Sequence, residues 1–268
     1  MKKHKILITN DDGINSPGLR AAAEAVFDLG EVFVIAPTYQ QTGTGRGLTG
    51  DKESKLQPME YMIHGSSLPA YHCNCSPALI VRHCLETIFN NDQPSLLISG
   101  INYGENLGSS ITCSGTVGAA LEAACLGIPS IAISKQTDIS SHHKYTEQNW
   151  EATAYFLRYF SNILLDGKMM KDVDALKIDV PEQATKNTDW KFTKVAKCGY
   201  YFKELENPNA NTLLNEGVTK IVINESVLDI NSDIHTFAIQ RLVSVAPISV
   251  DLSSRVEFNE LRNFYDHE

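Results

Sequence analysis

The polarity pattern along the chain alternates short unbroken apolar runs with longer segments of helical spacing. Ile6-Leu7-Ile8, Val32-Phe33-Val34-Ile35-Ala36, Leu96-Leu97-Ile98, Ile131-Ala132-Ile133 and Ala175–Val180 are short apolar runs bounded by turn residues. Each predicts a buried strand. Between the first two runs, Leu19, Ala22, Ala23, Val26 and Phe27 repeat at helical spacing behind Ser16-Pro17, a cap and first-turn pair. Residues 78–89, 117–127 and 147–165 predict three further helices, the last capped by Thr146. Strand, helix, strand over these lengths is a βαβ unit with parallel strands. Residues 1–185 therefore predict a doubly wound α/β core, a Rossmann-like three-layer sandwich with a mostly parallel sheet.

The pattern changes after that. Residues 190–202 and 217–227 predict a C-terminal β-hairpin around the polar linker 204–209, Leu242–Pro247 another strand, and the stretch from Ser253 a charged amphipathic helical tail. Residues 48–78 break into short pieces that suggest hairpins. The whole chain, 1–268, reads as one domain in which 186–268 form a hairpin and tail extension. A hairpin that leaves a compact core often serves an interface, so a homo-oligomer is expected.

Composition narrows the functional classes. The 268 residues are 43% hydrophobic and 21% charged, with a net charge of −9. That balance disfavours a nucleic acid polymer as partner, since backbone binding needs dense Lys and Arg. No run is long and apolar enough to span a bilayer. The basic start Met1-Lys2-Lys3-His4-Lys5 precedes too short an apolar run for a signal peptide. The six cysteines are then expected as free thiols in a cytoplasmic protein. His72-Cys73-Asn74-Cys75 matches no zinc spacing and reads as structural, and Lys135–Tyr145, with His142-His143, as a solvated loop.

Candidate chemistry sits where strands stop. Asn10-Asp11-Asp12-Gly13 follows the first strand, at the edge where open α/β sheets bind ligands. Two adjacent carboxylates repel unless a cation lies between them, and a hard divalent metal serves that need. The alternative is plain turn and cap chemistry. Gln41-Thr42-Gly43-Thr44-Gly45 follows the second strand, where freed N–H groups and hydroxyls suit a metal or phosphate; a flexible loop is the competing reading. Ser99-Gly100-Ile101-Asn102 ends the third strand in a polar turn that runs to Gly108. Ser114-Gly115-Thr116 opens the next helix, whose N-terminus suits a phosphate or is simply capped by Ser114 or Thr116.

The stretches ILITNDDGINSPGL, APTYQQTGTG, SGINYGENLG and SGTVGAALEAACLGIPSIAIS together resemble the SurE family, the stationary-phase survival nucleotidases. DIHTFAIQRLVSVAPISVDLS is similar to that family's closing strand region. The resemblance implies a divalent-metal phosphomonoesterase acting on nucleoside monophosphates, a 5′-nucleotidase, with 3′-nucleotidase and exopolyphosphatase activity in some members. It implies Asp11, Asp12, Thr42 and Asn102 as ligands of one divalent ion per subunit, Mg²⁺ or Mn²⁺. Asn10, Gly43, Asn106, Ser114, Gly115 and Thr116 would hold the substrate phosphate. It further implies a homodimer or homotetramer with exchanged carboxyl-terminal segments. The chain departs from the family pattern in having Thr42 for Ser, Tyr39-Gln40-Gln41 for the usual acidic and basic residues, and Cys75-Ser76-Pro77-Ala78-Leu79 for Gly-Thr-Pro and an acid.

The expected chemistry is metal-assisted phosphomonoester hydrolysis, with Asp11 and Asp12 catalytic and one of them accepting the proton of the attacking water. An aspartyl-phosphate route is disfavoured, because Asn10 stands where the nucleophilic acid would be needed. A non-enzymatic nucleotide- or phosphate-binding module is the alternative of another class; it has no need of paired aspartates.

Overall fold

A computed structural model of the chain describes residues 3–142 and 144–266. Met1, Lys2 and His143 of the stretches discussed above lie outside the described residues. The elements run in the order β1 (Lys5–Thr9), α1 (Pro17–Val26), β2 (Glu31–Pro37), β3 (Gln57–Pro58), β4 (Met62–Ile63), β5 (Ser66–Ser67), β6 (Ala70–Cys73), α2 (Pro77–Thr87) and β7 (Leu96–Tyr103). There follow α3 (Gly115–Cys125), β8 (Ser130–Lys135), α4 (Glu151–Leu165), β9 (Ala175–Val180), β10 (Trp190–Phe192), β11 (Tyr201–Glu204), β12 (Val218–Ile221), β13 (Val243–Ile248) and α5 (Phe258–Tyr265).

Nine strands form one sheet in the order β10-β13-β9-β8-β7-β1-β2-β6-β3. The strands from β9 through β6 are parallel, as the buried apolar runs require. Side chains alternate across β1: Ile6 and Ile8 enter a core with α1 and α4, and Leu7 enters a second core with α2 and α3. This is the predicted three-layer α/β sandwich. Cys73, Cys75 and Cys84 are buried in the second core, which agrees with the structural reading of that cluster, and all six cysteines are free.

Four expectations need correction. The sheet does not stop at residue 185, since β13 pairs antiparallel with β9 and β10 pairs parallel with β13. The predicted strand over 190–202 is thereby split: β10 joins the main sheet, and β11 pairs with β12 as the outlying hairpin. β7 runs on to Tyr103 instead of turning at Ile101, with a register shift against β8 between Ser99 and Asn102. α4 begins at Glu151 and not at Glu147, because the Thr146 hydroxyl donates to Ser141 Oγ (2.9 Å) and accepts from Gln148 Nε2 (2.8 Å), while Asn149 Oδ1 takes the Glu151 N–H at 2.9 Å. α5 stands on the surface with no buried residue. Among the described residues, no helix is long and apolar enough to cross a membrane.

Candidate active site

β1 has β2 on one side and β7 on the other, so the connection order reverses between β1 and β7. Crevices at such reversals, beyond the carboxyl ends of the strands, are where open α/β sheets bind ligands. A cavity of about 210 Å³ opens there. Asp11, Asp12, Thr42, Gly43, Asn102, Asn106 and Ser114, all singled out from the sequence, line it. Three segments distant in sequence therefore converge on one centre.

The turn that carries the acids is built locally. Asn10 Nδ2 donates to the Gly13 carbonyl and the Gly13 N–H donates back to Asn10 Oδ1, both at 3.1 Å. Gly13 adopts φ +103°, open to glycine at little cost. Asn10 thus braces the turn and is not among the cavity-lining residues. The strand ends at Thr9, which frees both carboxylates from the alternation that would have sent them to opposite faces.

The first turn of α3 closes on Asp11. Thr116 Oγ1 donates to Asp11 Oδ1 at 2.5 Å, and the backbone N–H groups of Gly115 and Thr116 also favour its ionised form. A Cβ at Gly115 would stand 2.7 Å from Asp11 Cβ and 2.8 Å from Oδ2, so only glycine admits this approach. Gly115 and Thr116 therefore act on the acid; neither is part of the cavity wall. Ser114 lines the cavity and also caps α3, its Oγ accepting the Val117 N–H at 3.2 Å.

Asp12 is held from the other side. Its Oδ2 accepts the Tyr103 N–H at 3.1 Å, its Oδ1 accepts Gln40 Nε2 at 3.4 Å, and its carbonyl accepts the Tyr145 hydroxyl at 2.5 Å. Asp11 and Asp12 are only 5% and 2% exposed. Burial raises the Asp11 pKa despite its donors; burial and then the neighbouring Asp11 charge raise Asp12 well above the carboxylate range. Among the described residues neither acid has an ion-pair partner. Burial, then Asp12, also pushes the Tyr103 and Tyr145 phenols up to about 12, which keeps them protonated.

This donor set fits a hard divalent cation. Two buried carboxylates supply charge that nothing nearby neutralises, and Thr42 supplies a hydroxyl. Asn102 donates through Nδ2 to the carbonyls of Gly104 (2.7 Å) and Tyr103 (3.3 Å), which leaves its Oδ1 available. All four groups offer oxygen, the preference of Mg²⁺, Mn²⁺ and Ca²⁺. Among the described residues no group of three or more His, Cys, Asp and Glu side chains could hold a metal, which separates this centre from zinc-type sites.

Beneath the 105–108 segment lies a second set of charges. Lys177, fully buried, pairs with Asp179 and, at 3.2 Å, with Asp233, and donates to the Asn106 carbonyl at 2.7 Å. Asp179 accepts the Asn106 N–H at 2.7 Å and Asp233 the Gly108 N–H at 3.1 Å. Asn106 Nδ2 donates one hydrogen to Ser134 Oγ at 2.9 Å and keeps the other. Burial opposes the Lys177 charge, but the two acids outweigh it and raise its pKa.

Several residues at the site escaped the sequence reading. His142, assigned to a solvated loop, lines the cavity, because Gln40 Nε2 holds its carbonyl at 2.5 Å. Tyr145, placed in the same loop, reaches Asp12. Tyr103 and Glu105 lay inside a recognised motif, but only as spacers. Tyr201 comes from the carboxyl-terminal hairpin and carried no local signal.

The survival protein SurE family matches residues 6–201. A 5′-nucleotidase SurE from Thermococcus gammatolerans is 35% identical over 97% of this chain and 95% of its own length. A 5′-nucleotidase SurE from Archaeoglobus fulgidus is 36% identical over 98% of this chain and 97% of its own. The crystal structure of the SurE protein from Aquifex aeolicus superposes with a TM-score of 0.73 at 27% identity, covering 98% of this chain and all of that one. With the family's segments brought onto one crevice and the likeness running through nearly the whole length, this chain belongs to the SurE family.

Proposed function

We propose that this protein is a 5′-nucleotidase that hydrolyses nucleoside 5′-monophosphates with a divalent cation held by Asp11, Asp12, Thr42 and Asn102. The observation that carries the reading is the buried Asp11–Asp12 pair, with no lysine or arginine paired to it among the described residues, in a cavity at the sheet's reversal point. Anion binding alone has no use for two buried carboxylates. Bound there, Mg²⁺ or Mn²⁺ would polarise the phosphoryl oxygens and lower the pKa of water.

The remaining work falls to the chain. Ser114 Oγ, the free amide hydrogen of Asn106 and the backbone at Gly43 face the phosphoryl group and stabilise its charge. Asn10, Gly115 and Thr116 keep the acids in place. Asp11 is held by a hydroxyl and the helix N-terminus and Asp12 by the Tyr103 N–H and Gln40, and one of the two acids accepts the proton of the attacking water. The water oxygen bonds to phosphorus as the bond to the ester oxygen breaks, and the leaving nucleoside oxygen takes a proton from solvent to restore its hydroxyl. Nucleoside 3′-monophosphates and short polyphosphate present the same terminal phosphoryl group and are proposed as further substrates.

The exposed aromatics of α5, Phe258, Phe264 and Tyr265, support an assembly of two or four chains. Six free thiols suit a cytoplasmic setting. The test is hydrolysis of a panel of nucleoside 5′- and 3′-monophosphates and polyphosphate with Mg²⁺, Mn²⁺ or EDTA. Turnover that depends on the cation supports the reading; nucleotide binding without turnover at any cation concentration overturns it.

A further inference from the structure

Tyr39-Gln40-Gln41, where the chain departs from the family pattern, takes no part in the proposed chemistry. The structure gives its middle residue a place beside the acids. Gln40 follows β2, and its backbone packs on the acid turn: a Cβ at Gly13 would stand 3.4 Å from the Gln40 nitrogen. Its side-chain Nε2 donates to two oxygens, Asp12 Oδ1 at 3.4 Å and the His142 carbonyl at 2.5 Å. Both partners are acceptors, and an amide nitrogen carries two hydrogens, so one group serves both at once.

His142 belongs to the segment between β8 and α4, which bears on the site at further points. The Tyr145 hydroxyl donates to the Asp12 carbonyl at 2.5 Å, and the Thr146 carbonyl accepts the Tyr103 hydroxyl at 2.9 Å. The His142 ring lies against Gly104, where a Cβ would stand 2.4 Å from its Nε2. The Gly104 carbonyl is in turn one of the two that orient Asn102. One strap of chain therefore touches Asp12 in the turn after β1 and, through Gly104, bears on Asn102 in β7. These are two of the four ligands proposed for the cation.

We infer that Gln40 is a positioning residue that ties this strap to Asp12, so that cation binding and ordering of the strap reinforce each other. This rests on the cation-dependent phosphomonoesterase reading. A cation on Asp12 holds the carboxylate in one position, which favours the Gln40 bond and with it the strap. A strap in place holds Asp12 for the cation in return, and the two effects are equal in size because coupling between sites is reciprocal. His142, carried by the strap, is thereby set as part of the cavity wall.

The test uses the whole chain as wild type, Gln40→Met and Gln40→Asn. Binding of Mn²⁺ and of Mg²⁺ is measured by isothermal titration. Amide hydrogen exchange in the segment between β8 and α4 is measured with and without saturating cation. In the wild type the cation slows exchange in the strap. Gln40→Met fills the same space with nothing to donate; it binds the cation roughly 3- to 10-fold more weakly, the worth of one ordinary hydrogen bond. Saturating cation no longer slows its strap exchange. Gln40→Asn keeps the amide but is one methylene too short to span both oxygens, and falls between. Unchanged cation affinity in Gln40→Met, or a strap response that survives the substitution, overturns the inference and leaves the nucleotidase reading standing. So does a wild type that binds the cation with no change in strap exchange. A wild type that binds neither cation overturns both. If Gln40→Met does not fold, the Asn variant decides: a reduced strap response supports the inference and an unchanged one overturns it.

Discussion

Two pairs of buried aspartates lie within this half of the molecule, and they are not alike. Asp179 and Asp233 flank Lys177, and their oxygens also accept backbone N–H groups from Asn106, Gly108 and Ala196. Charge and hydrogen bonding are balanced within the chain, so this cluster positions the 105–108 segment. Asp11 and Asp12 are as deeply buried, yet their partners are a hydroxyl, an amide and backbone groups, with no lysine or arginine. The same chemistry is closed in one place and left open in the other. A balanced cluster serves the fold; the unbalanced pair is the one we propose for a cation.

The contrast is sharpest in opposite responses to substitution. Asp12→Asn removes one of two repelling buried charges, so the metal-free protein keeps or gains thermal stability while hydrolysis falls roughly 100- to 10,000-fold, as expected for a lost member of the proposed catalytic pair. Lys177→Met leaves two buried acids unpaired and costs about 3–5 kcal/mol in urea unfolding. A Lys177→Met protein as stable as the wild type would erase the distinction. Next in size is the response to cation. Mg²⁺ or Mn²⁺ at 100 times its Kd stabilises a native-only binder by about 2.7 kcal/mol. The wild type's thermal midpoint should rise with cation, and that of Asp12→Asn far less.

The smallest effect concerns Glu105 and pH. Its folded pKa is raised by burial, so the folded state binds its proton more tightly than the unfolded chain, whose value is about 4.3. The associated stabilisation is fully present below the unfolded value and is lost as pH rises through the folded one. Glu105→Gln lacks this loss. The difference in thermal midpoint, variant minus wild type, should therefore grow from pH 4 upward and then level off; a difference that shrinks with rising pH would show that the carboxylate is stabilised where it lies.

What could be read in advance follows the range of the interactions. The strands of the parallel core show as unbroken apolar runs because both faces are covered. The acid turn, the Thr42 loop and the Ser114 helix start are contiguous, and their side chains meet because each follows or precedes an element that the pattern already places. The extent of β7 and the start of α4 were misread because Tyr103 and Thr146 are committed to partners that local propensity does not reveal. Lys177 and Asp179 sit two apart on one strand, so a shared face was implied, but Asp233 is more than 50 residues away and nothing local announces it.

The sequence by itself determined the α/β core, the crevice edge and the oxygen ligands proposed for the cation, since these depend on short periodicities and contiguous motifs. Tertiary structure alone decided that Thr116 and Gly115 brace Asp11, that His142 lines the cavity and Tyr145 bonds the Asp12 carbonyl, that β10 and β13 extend the sheet, and that Glu105 faces Tyr201. Those outcomes depend on which buried polar groups find partners across long loops, and that is settled only when the whole core closes.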